Sequence, residues 1–317
     1  MKIITLCFLA ILLLANRNGG YAQDIPVTIQ KFTDGILQMP SQAGASGGSA
    51  FVGYRKANDM AGAPSVQVAG AHGLIAKNRI GIGLTTFADQ INIVRNASVN
   101  MVLAYHLPIS SKATASFGIN SEYHYFSLNT DQLNAAVNLQ DPMVVDFQPS
   151  TRLDFSPGLA INHKKYWVGI TLNRLRTLMD SEPKRTYMNG FYTSFAGYRY
   201  HLNPKNLIEP LVIVRYNPVQ KSFQNDFQLF YTYNQSIVAG ITYRGAGVLA
   251  ASAGYIFSKR LVLGYSYQFM TSAQSSVYHA NSHEISIRFN FNKQYYNQPM
   301  FLPDQRPASD VTKEKLK

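Results

Sequence analysis

Alternation of apolar and polar residues, repeated in one short run after another, is the feature that most narrows what this chain can fold into. In 282–291, Ile285, Ile287, Phe289 and Phe291 share one face of an extended strand, and Glu284, Ser286, Arg288 and Asn290 share the other. In 260–269, Leu263, Tyr265, Tyr267 and Phe269 alternate with Gly264, Ser266 and Gln268. In 112–125, Phe117, Ile119, Tyr123 and Tyr125 oppose Gly118, Asn120, Glu122 and His124. Side chains of a strand point by turns to its two faces, so each run presents one oily and one polar surface. Beyond the N-terminus no segment reaches about 18 apolar residues without charges, and no long 3.6-residue period persists. Membrane-crossing helices and helical bundles are thereby disfavoured.

Runs of this kind fall at 49–55, 65–72, 79–87, 95–105, 112–125, 153–162, 165–172, 186–200, 207–216, 223–233, 236–243, 246–257, 260–269 and 282–291. About fourteen strands result, an even number of the sort single-chain bacterial barrels use. Alternation alone does not separate a soluble sandwich, whose oily face turns inward, from a membrane barrel, whose oily face turns to lipid. The connections do. Every even-numbered one is short (73–78, 106–111, 163–164, 201–206, 234–235, 258–259), and the long ones (126–152, 173–185, 270–281) are all odd-numbered. A barrel with short periplasmic turns and longer external loops sorts its loops in this way; a sandwich has no reason to. The expected fold is all-β: a transmembrane antiparallel barrel over 49–291 with periplasmic N- and C-termini. Closure gives every backbone N–H and C=O a partner inside lipid and leaves no edge. The last strand, through Phe289-Asn290-Phe291, would close it.

Composition agrees. Charged residues make up 15% of the chain, against about 25% in soluble proteins. The 46% hydrophobic content excludes a disordered chain, and 20 Tyr suit rings that sit at a lipid boundary with the hydroxyl in water. Residues 1–22 read as a signal peptide: Lys2, an apolar stretch from Ile3 to Ala15, and small residues before a cleavage at Gln23. Lys2 and Arg17 leave with it, lowering the formal charge from +12 to +10. Cys7, the single cysteine, leaves too. Residues 23–48 are expected to form a periplasmic lead-in, and 292–317 a polar periplasmic tail. The remaining basic residues are scattered, with no nucleic-acid motif, so contact with outer-membrane lipid explains the charge better than nucleic acid does.

Chemical motifs are weak. Gly44-Ala45-Ser46-Gly47-Gly48 matches the G-x-S-x-G nucleophile elbow formally, but the elbow needs a strand before it and a helix after it. A flexible Gly-rich lead-in is the plainer reading. Histidines 72, 106, 124, 163, 201, 279 and 283 show no metal-ligand spacing, and solvated or interfacial histidines are expected. His283 and Glu284 are strand neighbours and point to opposite faces, so they form no simple dyad. Asp131, Asp141 and Asp146 lack a calcium-loop pattern. Gly81 and Gly83 lack the rest of a dinucleotide fingerprint and read as lumen-facing or strand-packing glycines.

Two stretches carry a family resemblance. The C-terminal one is Gly264-Tyr265-Ser266-Tyr267, Thr271-Ser272, Tyr278 and Ser282-His283-Glu284-Ile285, leading to Phe289 and Phe291. The N-terminal one runs from Met39-Pro40 and Ala43-Gly44 through Tyr54-Arg55 and Gly62-Ala63-Pro64 to His72. Together they resemble the PorP/SprF family of type IX secretion system membrane proteins of Bacteroidota, loosely over 24–291. The chain departs from the family at Met39, where Asn usually precedes the proline, and between Lys56 and Ala61, where a Trp is often found. The departures mark a divergent paralogue.

The resemblance implies a non-catalytic outer-membrane protein, with no cofactor and no metal. It would support secretion or surface anchoring of a large cargo protein carrying a type IX C-terminal signal domain, an adhesin in gliding species. Peptidoglycan-associated components of the machinery are the implied periplasmic partners. Pro40, Gly44, Tyr54, Arg55, Gly62, Pro64, His72, Gly264, Tyr265, Ser266, Tyr267, Ser282, His283 and Glu284 form the motif set, structural or partner-binding. A diffusion channel or small-molecule transporter is the alternative, and an outer-membrane lipase or protease a third reading without a visible Ser, His and acidic set.

Overall fold

The computed structural model describes residues 32–45, 47–57, 63–75, 79–110, 112–128, 149–180, 189–245, 247–270 and 281–291. The expected signal peptide, the polar tail, Gly62 and most of the three long loops lie outside them. Fifteen strands form one sheet: β1 (Gly48–Ala57), β2 (Ser65–Ile75), β3 (Ile80–Ile91), β4 (Val94–Ser110), β5 (Ala113–Leu128), β6 (Ser150–His163), β7 (Tyr166–Asn173), β8 (Phe191–Tyr198), β9 (Tyr200–Asn203), β10 (Asn206–Asn217), β11 (Ser222–Tyr233), β12 (Ile237–Arg244), β13 (Val248–Phe257), β14 (Leu261–Met270) and β15 (Ser282–Asn290). β8 and β9 are successive lengths of one strand interrupted at Arg199, and both pair with β10. Fourteen strands therefore make up the wall. Every neighbour is antiparallel, and the last strand pairs with the first from Ser49↔Asn290 to Ala57↔Ser282. The sheet is a closed barrel.

Which face is oily outside follows from the alternation. Along β4, Val99, Met101, Leu103, Tyr105, Leu107 and Ile109 are exposed, and Ser98, Asn100, Val102, Ala104 and His106 between them are buried. From Val99 to Ile109 the strand advances about 33 Å, or about 25 Å along the barrel axis at a tilt of about 40°, the height of an outer-membrane apolar band. Met101 is 68% exposed while Arg288, on an inner face, is 1% exposed. Oily side chains outside and charged ones inside reverse the order of a soluble protein. Among the described residues no helix is long and apolar enough to cross a membrane.

The even-numbered connections that the described residues complete are tight. Asn234–Gln235 and Ser258–Lys259 both hold positive φ at each central residue, as a type I′ hairpin turn requires to match strand twist. Two boundaries differ from the sequence expectation. β4 runs to Ser110, so the expected turn over 106–111 is mostly strand; Pro108, which offers no N–H, is absorbed by a register shift between Pro108 and Ser110. The run expected at 186–200 starts as strand only at Phe191. Ahead of it a short helix, α1 (Leu175–Met179), follows β7. Its first N–H groups, from Arg176 and Thr177, are accepted by the inward-facing Asp154 carboxylate at 2.8 and 3.0 Å, which caps the helix from the barrel wall.

Candidate functional site in the barrel lumen

Residues 32–45 do not lead into the barrel from outside it; they fill the lumen. Two 3-10 turns, Gly35–Leu37 and Pro40–Gln42, shape the segment. Each of three apolar clusters inside the wall contains plug residues. Phe32 packs with Phe230, Val238, Ile256 and Val262. Ile36 and Ala43 pack with Phe51, Val102 and Ala104. Met39 and Ala45 pack with Ala160, Trp167, Phe195 and Ile213. The Met39 departure from the family pattern thus sits in an apolar cluster that a thioether fills. Each buried Phe, Ile or Met contributes about 1.5–3 kcal/mol relative to exposure.

Inner-wall glycines let this segment approach. A Cβ on Gly81 would stand 1.8 Å from the Ala43 carbonyl oxygen, and one on Gly118 would stand 2.3 Å from the Pro40 carbonyl carbon. Gly83 faces Ile36, and Gly254 and Gly264 face the Phe32 ring. These glycines lie toward the even-numbered turns, so the plug occupies that end of the lumen.

Polar contacts hold the plug in register. The Gly44 N–H donates to His72 Nδ1 at 2.7 Å. A nitrogen that accepts carries no proton, so Nε2 holds it, and Nε2 lies 3.1 Å from an Asp34 carboxylate oxygen. The Ser49 hydroxyl donates to the same carboxylate at 2.7 Å. Burial pushes the Asp34 carboxyl up, but His72, Arg288 and Ser49 outweigh it and hold the group well below the usual carboxylate range. His106 binds Ala43 O at 2.8 Å and Ser116 at 2.9 Å, and Arg288 donates to Thr33 O at 2.9 Å. Gly44 has φ +74°, a backbone that favours glycine. It follows a 3-10 turn and precedes a strand, and so is no nucleophile elbow.

Toward the odd-numbered connections the lumen becomes ionic. Asp226 accepts from Arg215 at 3.1 Å and from Arg244 at 3.4 Å. Gln268 links Arg244 to Glu284 at 3.5 and 3.4 Å. Arg174 meets Glu122 at 3.3 Å. Arg215 also donates to Gln38 at 2.9 Å, tying this tier to the plug. At the opposite, even-numbered end, beside the plug, Arg199 lies 4.3 Å from the Trp167 ring centre and 3.5 Å from Glu209. Charges so deep need partners, and both signs are present. Among the described residues no group of three His, Cys, Asp or Glu could hold a metal.

The motif set divides by face. Pro40, Gly44, His72 and Gly264 meet at the plug. Arg55 lies opposite Glu284 in the β1–β15 ladder, and Ser266 opposite Glu284 and Gln268 opposite Ser282 in the β14–β15 ladder; all face the ionic tier. Tyr54, Tyr265, Tyr267 and His283 face outward, with the Tyr265 hydroxyl 2.6 Å from His283 Nδ1. Pro64 accepts from the Ala57 N–H at 2.9 Å beside the first loop. His283 and Glu284 do face opposite ways. His163 ends β6 and His201 lies in β9, each beside an even-numbered turn rather than in it, whereas His72 and His106 are buried rather than solvated, because the plug fills the space beside them. The sequence marks Arg288 only as a polar-face residue and His106 only as one of the expected solvated histidines, and no motif marks Asp34, Ser49, Arg215 or Asp226. For Ser49, Arg215, Asp226 and Arg288 the signal is a charged or hydroxyl residue at the inward parity of a strand; Asp34, ahead of the first strand, has no such signal.

Comparisons with known proteins identify a family. The family described as "Type IX secretion system membrane protein PorP/SprF" matches residues 21–289. No curated protein matches the chain. Solved structures similar to it include a Rh. blastica porin mutant (10% identity, 77% of this chain and 98% of that one, TM-score 0.34). Others are the KdgM porin (10%, 77% and 99%, TM-score 0.37) and a TodX monoaromatic hydrocarbon channel mutant (10%, 84% and 98%, TM-score 0.46).

Proposed function

The chain belongs to the PorP/SprF family of type IX secretion system membrane proteins, and from that premise we propose that it is a non-catalytic part of the secretion machinery that supports export or surface anchoring of a large cargo protein. It is an outer-membrane barrel, with its apolar band facing lipid. The observation that carries the proposal is the plug: residues 32–45 occupy the lumen at the short-turn end. A barrel filled in this way offers its wall and its loops to partners rather than an open path to solutes. The long connections 126–152, 173–185 and 270–281 are external in this reading and face cargo bearing a type IX C-terminal signal domain. The termini are periplasmic, where peptidoglycan-associated components are met. The motif residues take two roles: Pro40, Gly44, His72 and Gly264 seat the plug, and the outward Tyr54, Tyr265, Tyr267 and His283 face the membrane or a neighbour.

Shortening the three long loops should release cargo into the medium while the barrel stays in the outer membrane. Unchanged surface retention would remove the cargo-facing assignment. The alternative, a diffusion channel, requires a large steady current from the purified protein in planar bilayers, which the plug opposes.

A further inference from the structure

The outer wall carries a groove that neither closure nor plug requires. It has a volume of about 760 Å³ and crosses from β15 through β1 to β5. Its floor includes Ala69, Ala88 and Ala97, and its banks are Tyr54 and Ile285 on one side and Tyr125 on the other. The ladders place Tyr54, Gln67, Ala88, Ala97 and Tyr125 on one rung. All face outward, so the groove opens to hydrocarbon and not to water. Around it this wall carries large side chains such as Leu84, Met101 and Leu103; the recess is a local change of size, not of polarity.

The next rung toward the odd-numbered connections is different in kind. It reads His283, Lys56, Ser65, Gln90 and Arg95. Lys56 and Arg95 are exposed, and none of these residues is acidic. Gln90 accepts from Arg95 Nε at 3.3 Å and donates to Asn92 O at 3.2 Å, which steadies the arginine at the groove's end. Lys56 and Arg95 stand three strand spacings apart, about 14 Å. Two cations at that separation suit a wide, negatively charged head group whose chains descend into the apolar recess. Anionic head groups are attracted to basic residues at a membrane surface.

We propose that this groove binds a phosphorylated, multiply acylated glycolipid, one acyl chain lying over Ala69, Ala88 and Ala97 and the phosphates meeting Lys56 and Arg95. Its placement in the outer leaflet rests on the orientation given under the proposed function; the binding itself does not. The test uses the mature full-length barrel in detergent and reads bound lipid by native mass spectrometry. The probes are phosphorylated lipid A, its dephosphorylated form and phosphatidylglycerol. Lipid A should bind the unaltered barrel at least tenfold more tightly than either other lipid. K56Q/R95Q and Ala88→Trp should each weaken it at least tenfold, and Ala251→Trp, an outward change on β13, should leave it unchanged. Heat-modifiable mobility on gels reports whether Ala88→Trp folds; if it does not, the rim variant decides alone. Equal binding by the rim variant overturns the proposal, as does phosphatidylglycerol binding as tightly as lipid A, which would mean a general anionic annulus. No secretion component is present in this assay, so its failure leaves the proposed function standing, and failure of the loop experiment leaves the groove untouched.

Discussion

The Asp34 carboxylate lies 3.1 Å from Nε2 of His72, and through this contact the segment before the first strand is fastened to the inner face of the second. Because Asp34 is held below its ordinary range, its contribution is fully present above the unfolded value near pH 4 and is lost as pH falls through the lower folded value. Plug seating should thus be insensitive to this group from pH 5 to 8 and weaken only in strong acid. Asp34→Ala removes the acceptor of the Ser49 hydroxyl and of the His72 Nε2–H and should cost about 1–3 kcal/mol. Proteolysis of the lead segment in the refolded barrel measures both; seating that weakens already at pH 5 would contradict the assignment.

Gly118 and Gly81 admit the plug backbone. Gly118→Val places its first carbon against Pro40 backbone, which cannot yield as a flexible side chain would. The plug should be expelled while the wall, whose pairing does not depend on it, still closes. Single-channel recordings should then show a conductance at least tenfold above that of the unaltered protein. A current no larger than before would mean that the plug is not what blocks the lumen.

Leu103 faces outward near the middle of the apolar band. Leu103→Arg should destabilise the folded barrel in lipid by about 2–4 kcal/mol. Ser116→Ala, on the inner wall, loses the hydrogen bonds to His106 and Asn162, together worth about 1–2 kcal/mol. Urea titrations of refolding into vesicles would compare them. A larger cost for the serine would reverse the inside and outside of the wall.

Asp226 neutralises both Arg215 and Arg244. Asp226→Ala leaves two buried cations without it and should cost about 3–5 kcal/mol. Arg244→Ala in the same background should recover part of that loss, because one uncompensated charge is removed. A double-mutant cycle detects the coupling; strict additivity would show that the cluster is hydrated and uncoupled.

The strands were legible because their cause is local. Ile285, Ile287 and Phe289 alternate with Glu284, Ser286 and Arg288 whatever surrounds them, and backbone geometry alone sends the two sets to opposite faces. The direction of the oily face was legible only indirectly, from long connections confined to one end. The glycines at 81 and 83 were readable as lumen-facing, but not what they face. Where the reading stopped short, a proline or a loop had broken the period, as at Pro108.

Amino-acid order by itself determined an antiparallel wall of alternating strands, its closure through the final strand, and its place among type IX secretion membrane proteins. Tertiary structure decided what lies inside. Residues 32–45 have no period to read, and their partners are remote: Thr33 and Arg288 are 255 positions apart when they bond. A local pattern reports the faces of each strand, but the contents of a closed cylinder depend on which distant faces closure brings together.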